Sequence, residues 1–175
     1  MIHSHHDRPK VAIFMVTYNH EAYIDQAIAS VVNQQCDFNF RLIIGEDDSK
    51  DNTRNLCQQW AAQHPDKITL LPYVSNMGIF KNANRVFEAC LSSGAEYIAL
   101  LEGDDFWTDE RKLQKQVDLL TAHPHAAGSF HNTVIERKDG TKEIMFPKLK
   151  TVINQENAIS KYSPFHTSSF IFKSK

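Results

Sequence analysis

The chain has 175 residues, of which 42% are hydrophobic and 23% charged, and its formal net charge is -2. This length predicts one domain with one sizeable core, and the absence of a long basic run argues against a nucleic-acid partner. The apolar runs are strand-length, far below the roughly 20 residues that cross a bilayer, so we expect no membrane insertion. Three cysteines without CxxC spacing predict no disulfide or cysteine metal site and favour a reducing, cytoplasmic location.

Short apolar runs alternate with amphipathic stretches after a flexible tail over residues 1–9. Asn19 is expected to cap the first helix. The order predicts an α/β fold, with a mainly parallel sheet, helices on both faces and ligands beyond the carboxyl ends of the strands. The predicted strands cover 10–17, 41–46, 67–73 and 96–101, and the helices between them run from 19, over 51–64 and over 79–91.

The pattern changes after the fourth predicted strand. Thr108 can cap a helix that runs to about residue 123, and its buried side should carry Leu113, Val117 and Leu120. We treat residues 10–175 as a single domain, because no linker or repeat divides them. The remaining predictions are strands over 127–136 and 142–147 around an Asp139-Gly140 turn, a short helix over 154–160 and a strand over 168–172.

Acidic residues follow two of the predicted parallel strands, and both groups should therefore open onto one edge of the sheet. Carboxylates gathered in this way repel each other unless a cation or a donor-rich ligand lies between them. Magnesium or manganese, bound by one or two carboxylates and substrate phosphates, would offset the charge of a diphosphate. Helix capping is the alternative explanation. The two groups are Glu46, Asp47 and Asp48, and Glu102, Asp104 and Asp105.

At this point the residues resemble the family 2 glycosyltransferases with the GT-A fold, over about residues 10–175. Four motifs stand in the order that this family shows. They are Val16-Thr17-Tyr18-Asn19-His20-Glu21, which looks like the first nucleotide-binding loop; Glu46-Asp47-Asp48-Ser49-Lys50-Asp51-Asn52-Thr53, which looks like the second; Asn76-Met77-Gly78 with Asn84; and Glu102-Gly103-Asp104-Asp105 at the place of the DXD metal motif.

The resemblance implies a Rossmann-like, three-layer α/β/α fold and a set of site residues. Glu46 would face the base, Tyr18 would lie near its ring, and Asp104 would be the principal ligand of Mn²⁺ or Mg²⁺, with Glu102 and Asp105 beside it. The implied nucleotide-sugar-binding residues are Thr17, Tyr18, Asn19, Glu21, Glu46, Asp48, Asn76, Asn84 and Asp104.

The implied activity is metal-dependent, inverting transfer of a hexose from a nucleotide-diphosphate sugar, UDP-linked by expectation, to a glycan or lipid-linked acceptor in polysaccharide biosynthesis. The sequence departs from the family in its two glutamates, Glu46 and Glu102, and in Ala83, where a basic residue is common. Family members also continue to an acidic segment that supplies the catalytic base, so we expect an incomplete, C-terminally truncated domain. No catalytic residue is assigned, since a lone histidine near strands, such as His131 or His166, is more often structural than catalytic.

Three other interpretations remain at this stage. A nucleotide-sugar-binding module of the same fold would lack transfer activity. A receiver domain would use Asp47, Asp48 and Asp104 as a phosphoacceptor site, and a nucleotidyltransferase would need a glycine-rich loop that is missing after the first strand. Trp107 can stack on a sugar or pack the start of a helix.

Overall fold

The computed structural model describes residues 8–73, 75–137, 139–146, 148, 152–153 and 165–175. Its strands and helices alternate up to the fourth helix, as the sequence predicts. The strands are β1 (Val11–Thr17), β2 (Phe40–Glu46), β3 (Ile68–Leu70), β4 (Tyr97–Leu100), β5 (Gly128–Ser129), β6 (Val134–Glu136), β7 (Lys142–Ile144) and β8 (Ile171–Lys173). The helices are α1 (Ile24–Val32), α2 (Thr53–Gln63), α3 (Ile79–Ser92) and α4 (Lys112–Ala122), and a 3₁₀ turn covers Thr167–Ser169.

Six strands form one sheet in the order β3-β2-β1-β4-β8-β5, and β6 and β7 form a separate hairpin. β1 pairs in parallel with β2 and β4, and β2 pairs in parallel with β3. β8 runs antiparallel to β4 and β5. Because β2, β1 and β4 are parallel neighbours, the loops that follow them meet at one edge of the sheet.

The uninterrupted apolar run of β1 supplies two cores, one on each face of the sheet. Val11, Ile13 and Met15 pack into the larger core with residues of α1, α2 and α4. Ala12 and Val16 point the other way, into the smaller core beneath α3. This alternation follows from the two-residue period of a strand, and it confirms the prediction of a mainly parallel sheet with helices on both faces.

Two predicted helix starts are wrong. α1 begins at Ile24, and Asn19 lies before it with a positive φ of 55°, so Asn19 is not its cap. α4 begins at Lys112 rather than near Thr108. There the Asp109 carboxylate accepts a hydrogen bond from the backbone N–H of Arg111 at 2.9 Å, which stabilises a turn instead of a helix.

The late part of the chain is less regular than predicted. The strand expected over 127–136 is divided into β5 and β6, and the strand expected over 168–172 begins only at Ile171, after the 3₁₀ turn. The strand expected over 67–73 is shortened to β3. The predicted helix over 154–160 lies outside the described residues, as does most of the predicted tail.

Two further findings concern the helices and the cysteines. Within the described ranges, none of the helices has the length and apolar character needed to span a bilayer. The cysteines Cys36, Cys57 and Cys90 are all free thiols. Burial raises the pKa of Cys57 and of Cys90 to about 12, so both remain protonated at neutral pH.

Candidate functional site

The loop after β1 is bonded to the loop after β2. The backbone N–H of Asn19 donates to the Ser49 hydroxyl at 3.0 Å, and the Asn19 side-chain oxygen accepts from the backbone N–H of Lys50 at 2.8 Å. The backbone N–H of His20 donates to the hydroxyl of Thr53 at 2.8 Å. The side chain of Asn19 is therefore used to join two loops, a role that its sequence position did not reveal.

Glu21 strengthens the same connection. Its backbone N–H donates to the Asp51 carboxylate at 3.1 Å, and its own carboxylate accepts from the backbone N–H of Asn52 at 2.8 Å. Thr17, at the end of β1, is buried, whereas Tyr18 is 40% exposed. Among the four predicted ligand-binding residues of the first loop, Tyr18 thus presents a large side chain to solvent, while Asn19 and Glu21 use side-chain oxygens to hold the second loop.

Glu46 lies at the end of β2 with little exposed surface. Only 6% of it is accessible, and its carboxylate accepts from the backbone N–H of Ser49 at 2.6 Å and from Arg54 Nε at 2.7 Å. The Arg54 guanidinium also lies 3.3 Å from Asp48 and stacks over the ring of Tyr73 at 4.0 Å from its centroid. Sequence reasoning missed Arg54 and Tyr73, because neither belongs to a recognisable motif.

Asp47 connects β2 to the segment before α3. Its two carboxylate oxygens accept from the backbone N–H groups of Met77 and Gly78, at 2.9 and 3.0 Å. Its carbonyl oxygen accepts from the Asn76 side-chain amide at 2.7 Å. Asn76 is therefore held at the edge of the site by Asp47, a residue that the sequence placed in the acidic group without a role of its own.

The two asparagines near the start of α3 differ in position. Asn84, the predicted site residue, lies on the exposed surface of the helix. Asn82 is buried instead, and its side-chain amide donates to the carbonyl of Gly45 in β2 at 2.7 Å. The helical period separates these two neighbours onto different faces, so Asn82 is the one that attaches α3 to the sheet.

The second acidic group occupies the loop after β4. Carboxylate oxygens of Glu102, Asp104 and Asp105 lie within 4.8 Å of one another, close enough for one cation to contact all three. Burial, followed by the charges of Asp105 and Asp104, raises the pKa of Glu102. A cation at this point would offset that repulsion and favour the ionised carboxylate.

Two histidines flank the acidic group. His20 Nε2 lies 3.9 Å from Asp104, and His166 Nδ1 lies 3.6 Å from Asp105. His131 is more enclosed: its Nδ1 is 2.7 Å from the carbonyl oxygen of Asn132, and burial lowers its pKa. Of the two histidines that the sequence analysis considered, His131 and His166, it is therefore His166 that borders the acidic group.

Trp107 packs inside the protein. It is 7% exposed, and its indole N–H donates to the carbonyl oxygen of Ser168 at 2.8 Å. The side chain of Lys112, the first residue of α4, lies 3.8 Å above its ring. These contacts support the packing role of Trp107 rather than sugar stacking.

Gly103 allows the loops after β1 and β4 to touch. A Cβ atom there would lie 2.7 Å from the Thr17 hydroxyl, 2.8 Å from Thr17 Cβ and 2.9 Å from His20 Nδ1. We expect Gly103→Ala to separate the loops, lowering the free energy of unfolding by about 1–3 kcal/mol. It should also weaken the binding of any divalent cation that the acidic group holds, because the group is displaced. Urea denaturation and Mn²⁺ titration measure the two effects, and wild-type values in both would contradict this account of the loop contact.

Comparison with known proteins shows the family to which the chain belongs. The family model described as glycosyl transferase family 2 matches residues 12–174, and the chain belongs to that family. It is 36% identical over 139 residues to an uncharacterized protein of Mycobacterium tuberculosis, covering 79% of this chain and 39% of that protein. It is 32% identical over 107 residues to the dTDP-rhamnosyl transferase RfbG of Shigella flexneri, covering 61% of this chain and 36% of RfbG.

Solved structures share the fold. The mannosyltransferase PcManGT from Pyrobaculum calidifontis, in complex with GDP-Man and Mn²⁺, superposes with a TM-score of 0.65 at 22% identity, over 95% of this chain and 45% of PcManGT. Residues 1–349 of TarS from S. aureus, in complex with UDP-GlcNAc, superpose with a TM-score of 0.66 at 20% identity, over 94% of this chain and 45% of the TarS chain. The fold is therefore the GT-A fold, as expected from the resemblance.

The chain spans about two fifths of the length of the curated relatives described above, 39% and 36%. Family membership excludes the receiver-domain and nucleotidyltransferase interpretations. The part of the chain that matches the family model, residues 12–174, includes the loops after β1, β2 and β4.

Proposed function

We propose that residues 10–175 form a single domain that binds a UDP-linked sugar and that the protein transfers this sugar, with inversion, to a hydroxyl of a glycan or lipid-linked acceptor. The observation that carries the proposal is the meeting of the loops after β1, β2 and β4 at one edge of a parallel sheet, the place where such sheets bind ligands. The complexes of TarS with UDP-GlcNAc and of PcManGT with GDP-Man support a nucleotide-sugar donor.

The acidic group fits a divalent cation. Its donors are carboxylate oxygens, the ligand type that Mn²⁺ and Mg²⁺ prefer, and they lie within 4.8 Å of one another. Asp104 is the most accessible of the three, since 47% of its side chain is exposed. A bound cation would offset the negative charge of the diphosphate leaving group. The Mn²⁺ in the PcManGT complex supports manganese as the first ion to test.

The other proposed site residues lie at different positions in the loops and have different proposed roles. Tyr18 offers an exposed aromatic ring on which a base can stack. Glu46 binds Arg54, and Arg54 in turn lies against Asp48 and Tyr73, so an ordered group of polar side chains follows β2. Thr17 and Asn19 shape the loop between the acidic groups, with Asn19 bonded to Ser49.

The first experiment is a calorimetric titration of UDP into the purified chain with Mn²⁺, with EDTA, and with Mn²⁺ using Asp104→Ala. We expect binding only with Mn²⁺, weakened at least about tenfold in the variant because a principal ligand is removed. GDP serves as the comparison nucleotide. Absence of UDP binding under every condition would overturn the proposed donor site.

The matched control is Asp109→Ala, a change at another exposed aspartate four residues beyond Asp105. Asp109 contacts Lys115 at 2.6 Å, away from the acidic group. Its variant should bind UDP and Mn²⁺ as the wild type does. Transfer to glycan acceptors, assayed with UDP-sugars, then separates an active transferase from a binding module of the same fold: a module binds UDP but releases no sugar to an acceptor.

A further inference from the structure

The hydroxyl group of Ser168 lies between the two ends of the acidic loop. It donates to the Asp105 carboxylate at 2.5 Å and accepts from the backbone N–H of Glu102 at 3.2 Å. Ser168 is 5% exposed and belongs to the 3₁₀ turn before β8, more than sixty residues further along the chain. One buried hydroxyl thus holds both the first and the last acidic residue of the group.

The 3₁₀ turn is itself fixed by buried neighbours. The carbonyl oxygen of Ser168 accepts from the indole N–H of Trp107 at 2.8 Å. The next carbonyl, that of Ser169, accepts from the Gln116 side chain at 3.1 Å, and the Ser169 hydroxyl donates to the carbonyl of His166 at 2.7 Å. Because these groups anchor the turn, Ser168 provides a fixed reference point for the acidic loop.

The three carboxylates of the acidic group differ in the contacts that they make with other side chains of the protein. Asp105 is bonded to Ser168 and lies 3.6 Å from His166. Among the described residues, the one side-chain contact of the Asp104 carboxylate is with His20, at 3.9 Å, and no side chain hydrogen-bonds to the carboxylate of Glu102. The protein therefore restrains Asp105 and leaves the other two free to turn toward a ligand.

We propose that Ser168 is a positioning residue for the metal site: it commits Asp105 to holding the loop and leaves Glu102 and Asp104 as the carboxylates that contact the cation. This inference rests on the proposed function. A hydroxyl suits the position because it donates to Asp105 and accepts from the Glu102 N–H at the same time. Alanine offers neither interaction, whereas threonine keeps both.

The experiment measures Mn²⁺ affinity directly, by electron paramagnetic resonance of the free ion, without nucleotide. Ser168→Ala should weaken Mn²⁺ binding about 10–100-fold, the usual cost of removing a group that orients a metal ligand. Ser168→Thr should restore affinity to within a fewfold of the wild type. Ser174→Ala, a change just after β8 at a hydroxyl that donates to the carbonyl oxygen of Ala95 at 2.6 Å, should leave affinity unchanged.

Asp105→Ala separates the two roles of the carboxylates, because alanine, unlike asparagine, cannot accept the Ser168 hydroxyl. It should weaken Mn²⁺ binding about as much as Ser168→Ala, and the double variant should be no worse than either single one, because both remove the same bond. Asp104→Asn should abolish binding. Wild-type affinity in Ser168→Ala, or loss in Asp105→Ala as complete as in Asp104→Asn, would overturn the assignment alone. A wild-type chain that binds no Mn²⁺ would overturn both the assignment and the metal-dependent function, whereas UDP binding tests the donor site separately.

Discussion

Asp47→Asn is expected to lower the free energy of unfolding by about 3 kcal/mol. The wild-type carboxylate is 4% exposed and receives the backbone N–H groups of both Met77 and Gly78. Asparagine keeps one acceptor but turns an amide N–H₂ toward the other N–H, so a buried donor loses its partner and two donors face each other. Urea denaturation followed by circular dichroism measures the change.

Asp48→Asn is the matched control, at the adjacent aspartate. Asp48 has a positive φ of 61°, which asparagine tolerates, and its ion pairs with Lys50 and Arg54 are near the surface. Such pairs contribute about 0–1 kcal/mol, so this variant should stay close to the wild type. Equal stability losses in the two variants would contradict a specific role for Asp47.

Asp47 also shows what the sequence could and could not predict. The parallel sheet, the strand ends and the acidic groups follow from periodicity and from short motifs, because strand-length apolar runs and helical faces are local properties. The two bonds to Met77 and Gly78 join residues that are 30 and 31 positions apart in the sequence. No local pattern marks a carboxylate that holds a distant loop, and so Asp47 was assigned to an acidic group rather than to this contact.

At Asn19 and Thr108 the sequence predicted helix caps from a local residue preference, and other contacts in the fold outweigh that preference. Both are residue types that commonly cap helices, but α1 and α4 begin later. At Asn19, bonds to Ser49 and Lys50 in the neighbouring loop fix a left-handed backbone. Tertiary contacts of this kind override capping preference, and those of Asn19 lie where the loops after β1 and β2 meet.

Ser168 was recognisable only as part of a late strand pattern. Ser168 reaches the acidic loop because β8 pairs antiparallel with β4. This pairing places the 3₁₀ turn before β8 against the loop that follows β4. Strand order in a sheet is not contained in periodicity, and the register of this pairing could not be read from the chain. The proposed metal site therefore combines a motif that the sequence reveals with a support that only the fold reveals.

Lys112→Met is expected to raise the free energy of unfolding at neutral pH by about 1–3 kcal/mol. Lys112 is 4% exposed, and within the described part of the chain its Nζ has no hydrogen-bond partner. Burial lowers the pKa of Lys112 well below its ordinary value. Methionine keeps the unbranched apolar stem against Trp107 and removes the polar end, so the cost of burying it disappears.

The lowered pKa of Lys112 also predicts how the stability of the wild type depends on pH. Between the lowered pKa in the folded protein and the ordinary pKa near 10.5 in the unfolded chain, only the unfolded chain binds the proton. Wild-type stability should therefore rise with pH across that window relative to Lys112→Met, and the difference should be constant below it. His131 is the titratable neighbour whose charge Lys112 disfavours, so its titration should also shift in the variant.

Lys115→Met provides the comparison on the exposed side of α4. Lys115 makes a surface ion pair with Asp109, and replacing it should change stability by less than about 1 kcal/mol at any pH between 6 and 10. Denaturation of the wild type and both variants at several pH values measures the differences. A large loss of stability in Lys112→Met, with the same pH dependence as the wild type, would mean that the buried amine stabilises the fold through its contact with the Trp107 ring, which is 3.8 Å away.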